Sequence, residues 1–347
     1  MPAVVIVAAT AADEGARAGR FGHTPPTPVL ARETPALLSI VIPVYNEDQV
    51  LPLLRAQLAP LIDQLICPVE VILVDDGSAD QSYAYMRSWA LEDPTIKVIA
   101  LSRNFGHQLA ITAGMDASSG DAVVIMDADL QDPPALIPEM IRSYCEGYDV
   151  VYGQRTEREG ETWFKRASAS MFYAMMRRFV DPRLPADTGD FRLVSRRVIE
   201  ALRKVREHDR FVRGIVAWLG FPQKALPYRR AGRAAGTTKY PLAKMLRLAL
   251  DAMVSGSDLP LVIIRRIGTL IMLISALLLV WTGVVHFTDP ARPSLPWTGL
   301  AGLISLFGGG ILTAIGIVGI YVAKIYTEAR GRPLYLIRDA VNVEPPA

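Results

Sequence analysis

Residues Val123–Pro134 read VVIMDADLQDPP, and the fold turns on how that run is taken. Val123 to Met126 are apolar and mostly β-branched, as in a short buried strand. The run stops at Asp127, Asp129 and Asp132, with Gln131 between the last two and Pro133-Pro134 closing the segment. Two carboxylates at i and i+2 beyond the end of a strand converge on one point if the backbone turns there. Hard oxygen ligands of that kind suit Mg²⁺ or Mn²⁺, which keep waters and share their shell with phosphate oxygens. In open α/β sheets, ligands bind outside the carboxyl ends of the strands. A polar turn with a helix N-cap before Pro-Pro would read the same way in isolation, so the neighbours decide.

Upstream, LLSIVIPVYNE begins at Leu37 and stays apolar through Ile42. Pro43 removes a ladder donor and is expected to end the strand. Tyr45, Asn46 and Glu47 follow, ahead of a helix containing Leu51 to Leu61. A strand at Val69–Val74 ends in Asp75-Asp76-Gly77-Ser78. A helix over Tyr83–Ala90, a strand at Ile96–Leu101, a turn at Asn104–His107 and a helix over Gln108–Ser118 lead back to Val123. Strands alternating with helices at this spacing imply βαβ units, right-handed crossovers and a parallel sheet. Three strands then end in acidic loops on one rim, as a nucleotide site requires. No GxGxxG follows the first strand and no GxxxxGK[ST] occurs, so phosphates must be met by a metal and by basic side chains.

The basic side chains lie downstream. After a strand at Tyr148–Tyr152, the stretch GQRTEREGETWFKRASAS carries Arg155, Arg158, Lys165 and Arg166. It reads as an anion-binding flap or, more plainly, as a solvated helix face with pairs such as Glu161 with Lys165. Asp187–Arg192 (DTGDFR) reads as an acidic turn entering a helix, with Asp190 a possible N-cap. PYRRAGRAAGTTKYP, Pro227 to Pro241, sets Arg229, Arg230, Arg233 and Lys239 in a Gly/Thr-rich loop suited to grasping phosphate.

Hydrophobic residues make up 51% of the 347 and are concentrated near the carboxyl end. No charge occurs in 267–285 or in 294–323, and each run exceeds or approaches the roughly 20 residues that cross a bilayer. Asp289 and Arg292 lie in the short connection, so the two form a hairpin. Arg265-Arg266 before it and Lys324, Arg330, Arg332 and Arg338 after it place both ends in the cytoplasm. The expected organisation is a flexible leader at 1–36, a catalytic domain at 37–240 and an amphipathic juxtamembrane helix at 241–262. Transmembrane helices at about 265–287 and 296–323, within 263–324, and a cytoplasmic tail at 325–347 follow. The chain is thus expected in the plasma (inner) membrane, as a multi-pass protein. Cys67 and Cys145 lack metal-ligand spacing and fit a reduced compartment. The four histidines are scattered, so no Cys or His chemistry is expected. A formal net charge of +2 gives no basis for a nucleic-acid partner, and none is expected.

SIVIPVYNE, VDDGS, MDADLQDPP, DTGDFRL and RAAGTTKYP occur in this order in one chain. Together they resemble glycosyltransferase family 2, specifically the polyprenyl-phosphate glycosyltransferases: bacterial prenyl-phosphate glucosyltransferases and dolichyl-phosphate mannose synthases. The resemblance runs from about Leu37 to the end and includes the membrane hairpin. It implies a GT-A fold, an inverting mechanism, a sugar-nucleotide donor and a tetrameric homo-oligomer. Pro43, Tyr45, Glu47 and Asp76 would line the base and ribose pocket. Asp127, Asp129 and Gln131 would hold Mg²⁺ or Mn²⁺ on the donor pyrophosphate, with Ala128 between them. Arg155 would sit beside the donor phosphates and sugar, and Arg233 and Lys239 would close over them. Lys165, Arg166 and Ser170 would bind the phosphate of the lipid acceptor. GDFRL in place of SGFR, and two membrane helices in place of none or four, favour the bacterial glucosyltransferase branch. The resulting expectation is hexose transfer, glucose from UDP-glucose, to undecaprenyl phosphate at the cytoplasmic membrane face for cell-envelope glycan synthesis. Asp129, Asp190 and Arg155 are the catalytic candidates.

Three alternatives stay open. One is a polyprenyl-phosphate mannose synthase using GDP-mannose. A second is a transferase acting on a glycan hydroxyl, including a processive synthase. That enzyme needs a catalytic base and usually a QxxRW motif, whereas Gln223 here is followed by KALPY. The third is a non-catalytic membrane scaffold retaining the fold, although such a scaffold usually loses its metal ligands first.

Overall fold

The structure, a computed structural model, describes residues 30–157, 188–229 and 297–343, with a few helical positions between 264 and 288. Its centre is four parallel strands built from β-branched runs. These are β1 (Leu38–Val44), β2 (Val69–Asp75), β3 (Ile96–Leu101) and β4 (Ala122–Ile125). Pro43 does not end β1: it pairs with Val74, and the strand runs one residue further. A parallel strand buried on both faces needs apolar residues at nearly every position, and β1 and β4 are buried throughout.

Helices α1 (Leu51–Ile62), α2 (Ser82–Glu92) and α4 (Ile137–Cys145) cover one face, with Leu54, Leu58, Met86, Trp89, Met140 and Ile141 packed on Ile40, Ile42 and Leu73. The other face carries α3 (His107–Ala117), α5 (Arg196–Lys204) and α6 (Val212–Leu219), centred on Val41, Val74, Ile111, Val198 and Val216. Successive β1 residues enter opposite cores, as the two-residue period of a strand dictates. The result is a three-layer α/β/α sandwich.

The sheet is mixed, not wholly parallel. Val150–Glu157 forms β5, Gln223–Arg229 forms β7 and Ile337–Val341 forms β8. Where Asp187–Arg192 was expected as a turn entering a helix, Thr188–Ser195 is strand β6 and is buried at every position. Phe191, Leu193 and Val194 serve both cores, and that burial outweighs the turn preference of Thr-Gly-Asp. The helix begins only at Arg196. The spatial order is β7-β5-β6-β4-β1-β2-β3-β8, with β6 antiparallel to both neighbours and β8 antiparallel to β3. The order in which strands are added reverses between the parallel neighbours β1 and β4, the position where open α/β sheets form a ligand crevice.

Trp297–Ala329 is one continuous helix, α7. Among the described residues no helix is long and apolar enough to cross a membrane; the sequence of α7 carries no charge before Lys324. Most of the first expected membrane helix and all of the juxtamembrane helix lie outside the described residues. The tail after α7 does not trail free. β8 adds to the edge of β3, Asn342 Nδ2 donates to the carbonyls of Ala90 (2.6 Å) and Ile96 (2.9 Å), and Tyr335 donates to Asp116 (2.8 Å). At the end of α7, Lys324 pairs with Asp209 (2.6 Å) and Glu328 with His208 (3.0 Å).

Candidate active site

The loop after β4 carries the acidic cluster. Leu130 takes a left-handed φ of 57°, an unusual conformation for a branched side chain, and turns the chain so that Gln131 N donates to Asp129 Oδ1 at 3.1 Å. Asp127 Oδ1 is buried without a hydrogen-bond partner. Burial, then the nearby carboxylates of Asp132, Asp190 and Asp129, raise Asp127 to about 6, with His107 opposing. An acidic group in that setting lacks positive charge. Asp127, Asp129 and Gln131 share one turn. Among the described residues no three His, Cys, Asp or Glu side chains form a metal-ligand group. Two carboxylates and an amide leave the remaining positions to water and phosphate oxygens, the arrangement Mg²⁺ and Mn²⁺ accept. The residues therefore fit a divalent cation.

His107 was not expected in the site. It opens α3, and its Nε2 lies 3.2 Å from Asp190 Oδ2 and 3.4 Å from Asp127 Oδ1. Burial alone would lower its pKa, but the two carboxylates outweigh that and raise it. Gln108 also reaches Asp190, its Nε2 donating at 3.0 Å while its Oε1 accepts from Val212 N at 2.9 Å. Arg213 Nε stands 3.6 Å from Asp190 Oδ1. Burial would push Asp190 upward, yet the His107 hydrogen bond and the charges of Arg213 and Arg192 hold it well below the usual carboxylate range. Asp190 is thus an ionised, cation-held residue inside β6, not a helix cap. Arg192, lowered to about 10 by burial, donates to the carbonyls of Gly189 (2.9 Å) and Asp190 (3.3 Å) and stiffens the same strand.

Arg155, on β5, faces the cluster from the other side. Its Nε donates to the Tyr228 hydroxyl at 3.2 Å, and Tyr228 in turn donates to the fully buried Asp132. Arg155 Nη2 lies 3.7 Å from Asp132 Oδ1. A Cβ at Gly189 would stand 2.5 Å from Arg155 Nη2, so the glycine makes room for the guanidinium.

The residues expected to line the nucleotide pocket lie at and beyond the ends of β1 and β2. Pro43 is buried, Tyr45 is exposed, Glu47 is partly buried and its N–H donates to Ser82. Asp76 is nearly buried and spends its carboxylate on the backbone, accepting from Phe105 N (2.7 Å) and Gly106 N (3.0 Å). It thereby fixes the 105–106 backbone just before α3. Its neighbour Asp75 keeps Oδ2 without a hydrogen-bond partner, 3.7 Å from Arg338 of β8. Ala128 is buried in the acidic turn. Lys165, Arg166, Ser170, Arg233 and Lys239 lie outside the described residues. His107, Gln108, Arg213 and Tyr228 were missed, and Asp132 was read in the acidic run but without its partners, because each owes its place to a contact distant in sequence.

Residues 39–203 match the family model described as Glycosyl transferase family 2. A protein of Bacillus subtilis (strain 168), "Uncharacterized glycosyltransferase YkcC", is 45% identical over 315 residues, covering 88% of this chain and 94% of that protein. "Uncharacterized glycosyltransferase sll0501" of Synechocystis sp. (strain ATCC 27184 / PCC 6803 / Kazusa) is 39% identical, covering 88% and 96%. The "SfII prophage-derived bactoprenol glucosyl transferase" of Shigella flexneri is 35% identical over 314 residues, covering 89% and 99%.

Proposed function

The chain belongs to glycosyltransferase family 2, and on that premise we propose that it transfers a hexose from a nucleotide sugar to a polyprenyl phosphate. Glucose from UDP-glucose and undecaprenyl phosphate are the leading donor and acceptor. The observation that carries the acceptor is the 35% identity, over nearly all of both chains, to a protein named for bactoprenol glucosyl transfer. The uncharged run at 294–323, most of it in α7, and the matching run at 267–285 support a membrane hairpin holding the catalytic domain at the cytoplasmic face.

A lipid phosphate is largely ionised near pH 7, with a second pKa of about 6. One of its oxygens attacks the anomeric carbon from the face opposite the leaving nucleotide. The new C–O bond forms as the bond to the diphosphate breaks, and the diphosphate departs with the electron pair. Configuration inverts, and no proton has to be removed from the acceptor. The chain's task is to bring two anions together and stabilise charge on the leaving one. Arg155 would bind the donor diphosphate. His107 and Arg213 hold Asp190 ionised and fixed opposite it, where it orients the cationic groups around the acceptor. Asp127, Asp129 and Gln131 would hold a divalent cation, which when bound supplies electrostatic stabilisation of the leaving diphosphate.

The test uses purified full-length protein in detergent with Mn²⁺ or Mg²⁺ and undecaprenyl phosphate. Radiolabelled UDP-glucose, UDP-galactose, UDP-N-acetylglucosamine and GDP-mannose are supplied separately. Metal-dependent label in the organic phase from UDP-glucose alone is the expected result. Label from GDP-mannose alone would reassign the donor, and label only on a water-soluble glycan would reject the lipid acceptor.

A further inference from the structure

Asp132, Arg155 and Tyr228 come from the acidic loop, β5 and β7, and meet in a directed chain of hydrogen bonds. We propose that Tyr228 is a positioning residue for the transfer reaction, its hydroxyl fixing the Arg155 guanidinium against the donor diphosphate through a brace on Asp132. The inference rests on the glycosyl-transfer reading above.

Asp132 shows that something beyond turn chemistry is at work. A turn aspartate is ordinarily solvated, yet this one is 0% exposed, and burying a carboxylate is costly unless it is paired. Its Oδ1 receives the Tyr228 hydroxyl and faces Arg155 Nη2, and its Oδ2 has no hydrogen-bond partner. The tyrosine is the middle link. It accepts from Arg155 Nε at 3.2 Å and donates onward to Asp132. Burial and the charge of Asp132 raise the phenol to about 12, so the proton this link needs stays on the oxygen.

Gripping an arginine by Nε fixes the plane of the guanidinium, here with Nη2 3.7 Å from Asp132 Oδ1, and so sets the direction from which its terminal nitrogens can meet a phosphate. A lysine has no such handle. The ring of Tyr228 is itself fixed, edge-on to Phe191 with centroids 6.0 Å apart. Gly153 leaves it space, because a Cβ there would meet Tyr228 Cε1 at 2.8 Å. Tyr228 also lies one residue before Arg229 and Arg230, which open the basic run through Arg233 and Lys239. The brace therefore ties the start of that run to the loop carrying Asp127 and Asp129.

Tyr228→Phe tests the hydroxyl alone, because the ring contacts persist. In full-length protein assayed with UDP-glucose, Mn²⁺ and undecaprenyl phosphate, kcat should fall about ten- to a hundredfold, the scale of one hydrogen bond to a charged group. The melting temperature should fall by several degrees, because the buried Asp132 carboxylate loses the Tyr228 hydrogen bond, and KM for the lipid should not change. In an Arg155→Lys background, Tyr228→Phe should add less than about threefold, because residues acting as a unit are not additive. Wild-type kcat in Tyr228→Phe overturns the proposal, as does full multiplication of the two effects. If wild type transfers to no acceptor, calorimetric titration with UDP separates the two readings. Weaker UDP binding in Tyr228→Phe only when Arg155 is present upholds the brace and rejects the transfer reading; equal affinity in both proteins rejects the brace.

Discussion

Gly189→Ala puts a single methyl group where the Arg155 guanidinium lies. The new Cβ would stand 2.5 Å from Nη2 and 3.3 Å from Cζ, whereas comfortable contacts begin near 3.5 Å. The guanidinium must therefore retreat by about 1 Å. The backbone itself accepts alanine, because Gly189 is not among the residues with positive φ. Replacing glycine stabilises by about 0.4–1 kcal/mol through the unfolded chain, and strain on the Arg155–Tyr228 hydrogen bond costs a similar amount. Net stability should change by no more than about 1 kcal/mol. Catalysis should suffer far more, since a displacement of about 1 Å at a positioned group costs on the order of a hundredfold. Steady-state transfer of labelled hexose to undecaprenyl phosphate gives kcat, and scanning calorimetry gives Tm. Wild-type kcat would refute the placing of Arg155 at the reacting groups. A collapse in Tm would refute the idea that a flexible side chain yields cheaply.

Asp129→Ala should abolish turnover and metal-dependent donor binding while the protein stays folded and in the membrane fraction; retained activity would remove Asp129 from the metal site. Gln108→Glu replaces the amide donor 3.0 Å from Asp190 Oδ2 with a second carboxylate. It should cost about 1–3 kcal/mol in denaturant unfolding and most of the activity, and a neutral result would break the link between α3 and β6. Glu70 supplies the pH test. Burial would raise it, but Lys97 (2.6 Å), Ser39 and Ser119 N outweigh that and lower its pKa. A group depressed in the folded state stabilises above its unfolded pKa of about 4.3, and that contribution disappears as pH falls through the folded value. Urea midpoints should therefore fall below pH about 4.3 in wild type, and Glu70→Gln should be weaker at pH 7 yet converge with wild type in acid. A constant gap at every pH would count against the pair.

Local pattern carried the central sheet. β-branched runs and the turns that bound them place β1 to β4 within a residue or two, and the ends of those strands are where the site assembles. What escaped was set by contacts remote in sequence. Thr188-Gly189-Asp190 has the composition of a turn, and only burial between β5 and β4 makes it a strand. His107 looked like one scattered histidine until α3 set it between Asp127 and Asp190. Asp132 resembled a cap residue, and the Tyr228 hydroxyl that gives it a role comes from 96 positions further along. Residues 325–347 read as a cytoplasmic tail, because nothing in IRDAV announces that it pairs with β3, some 240 residues earlier.

That last strand bears on how the catalytic domain can be isolated. A fragment ending before Trp297 would seem the natural soluble enzyme, yet it lacks β8 and leaves the outer edge of β3 with bare N–H and C=O groups. Open edges of this kind recruit other chains, so such a fragment should precipitate or pair wrongly. Grafting Pro333–Val343 behind β7 through a flexible linker, or adding it as a separate peptide, restores the missing edge without α7. The protein is in this sense naturally split: its catalytic domain is complete only after the chain has passed through α7 and come back.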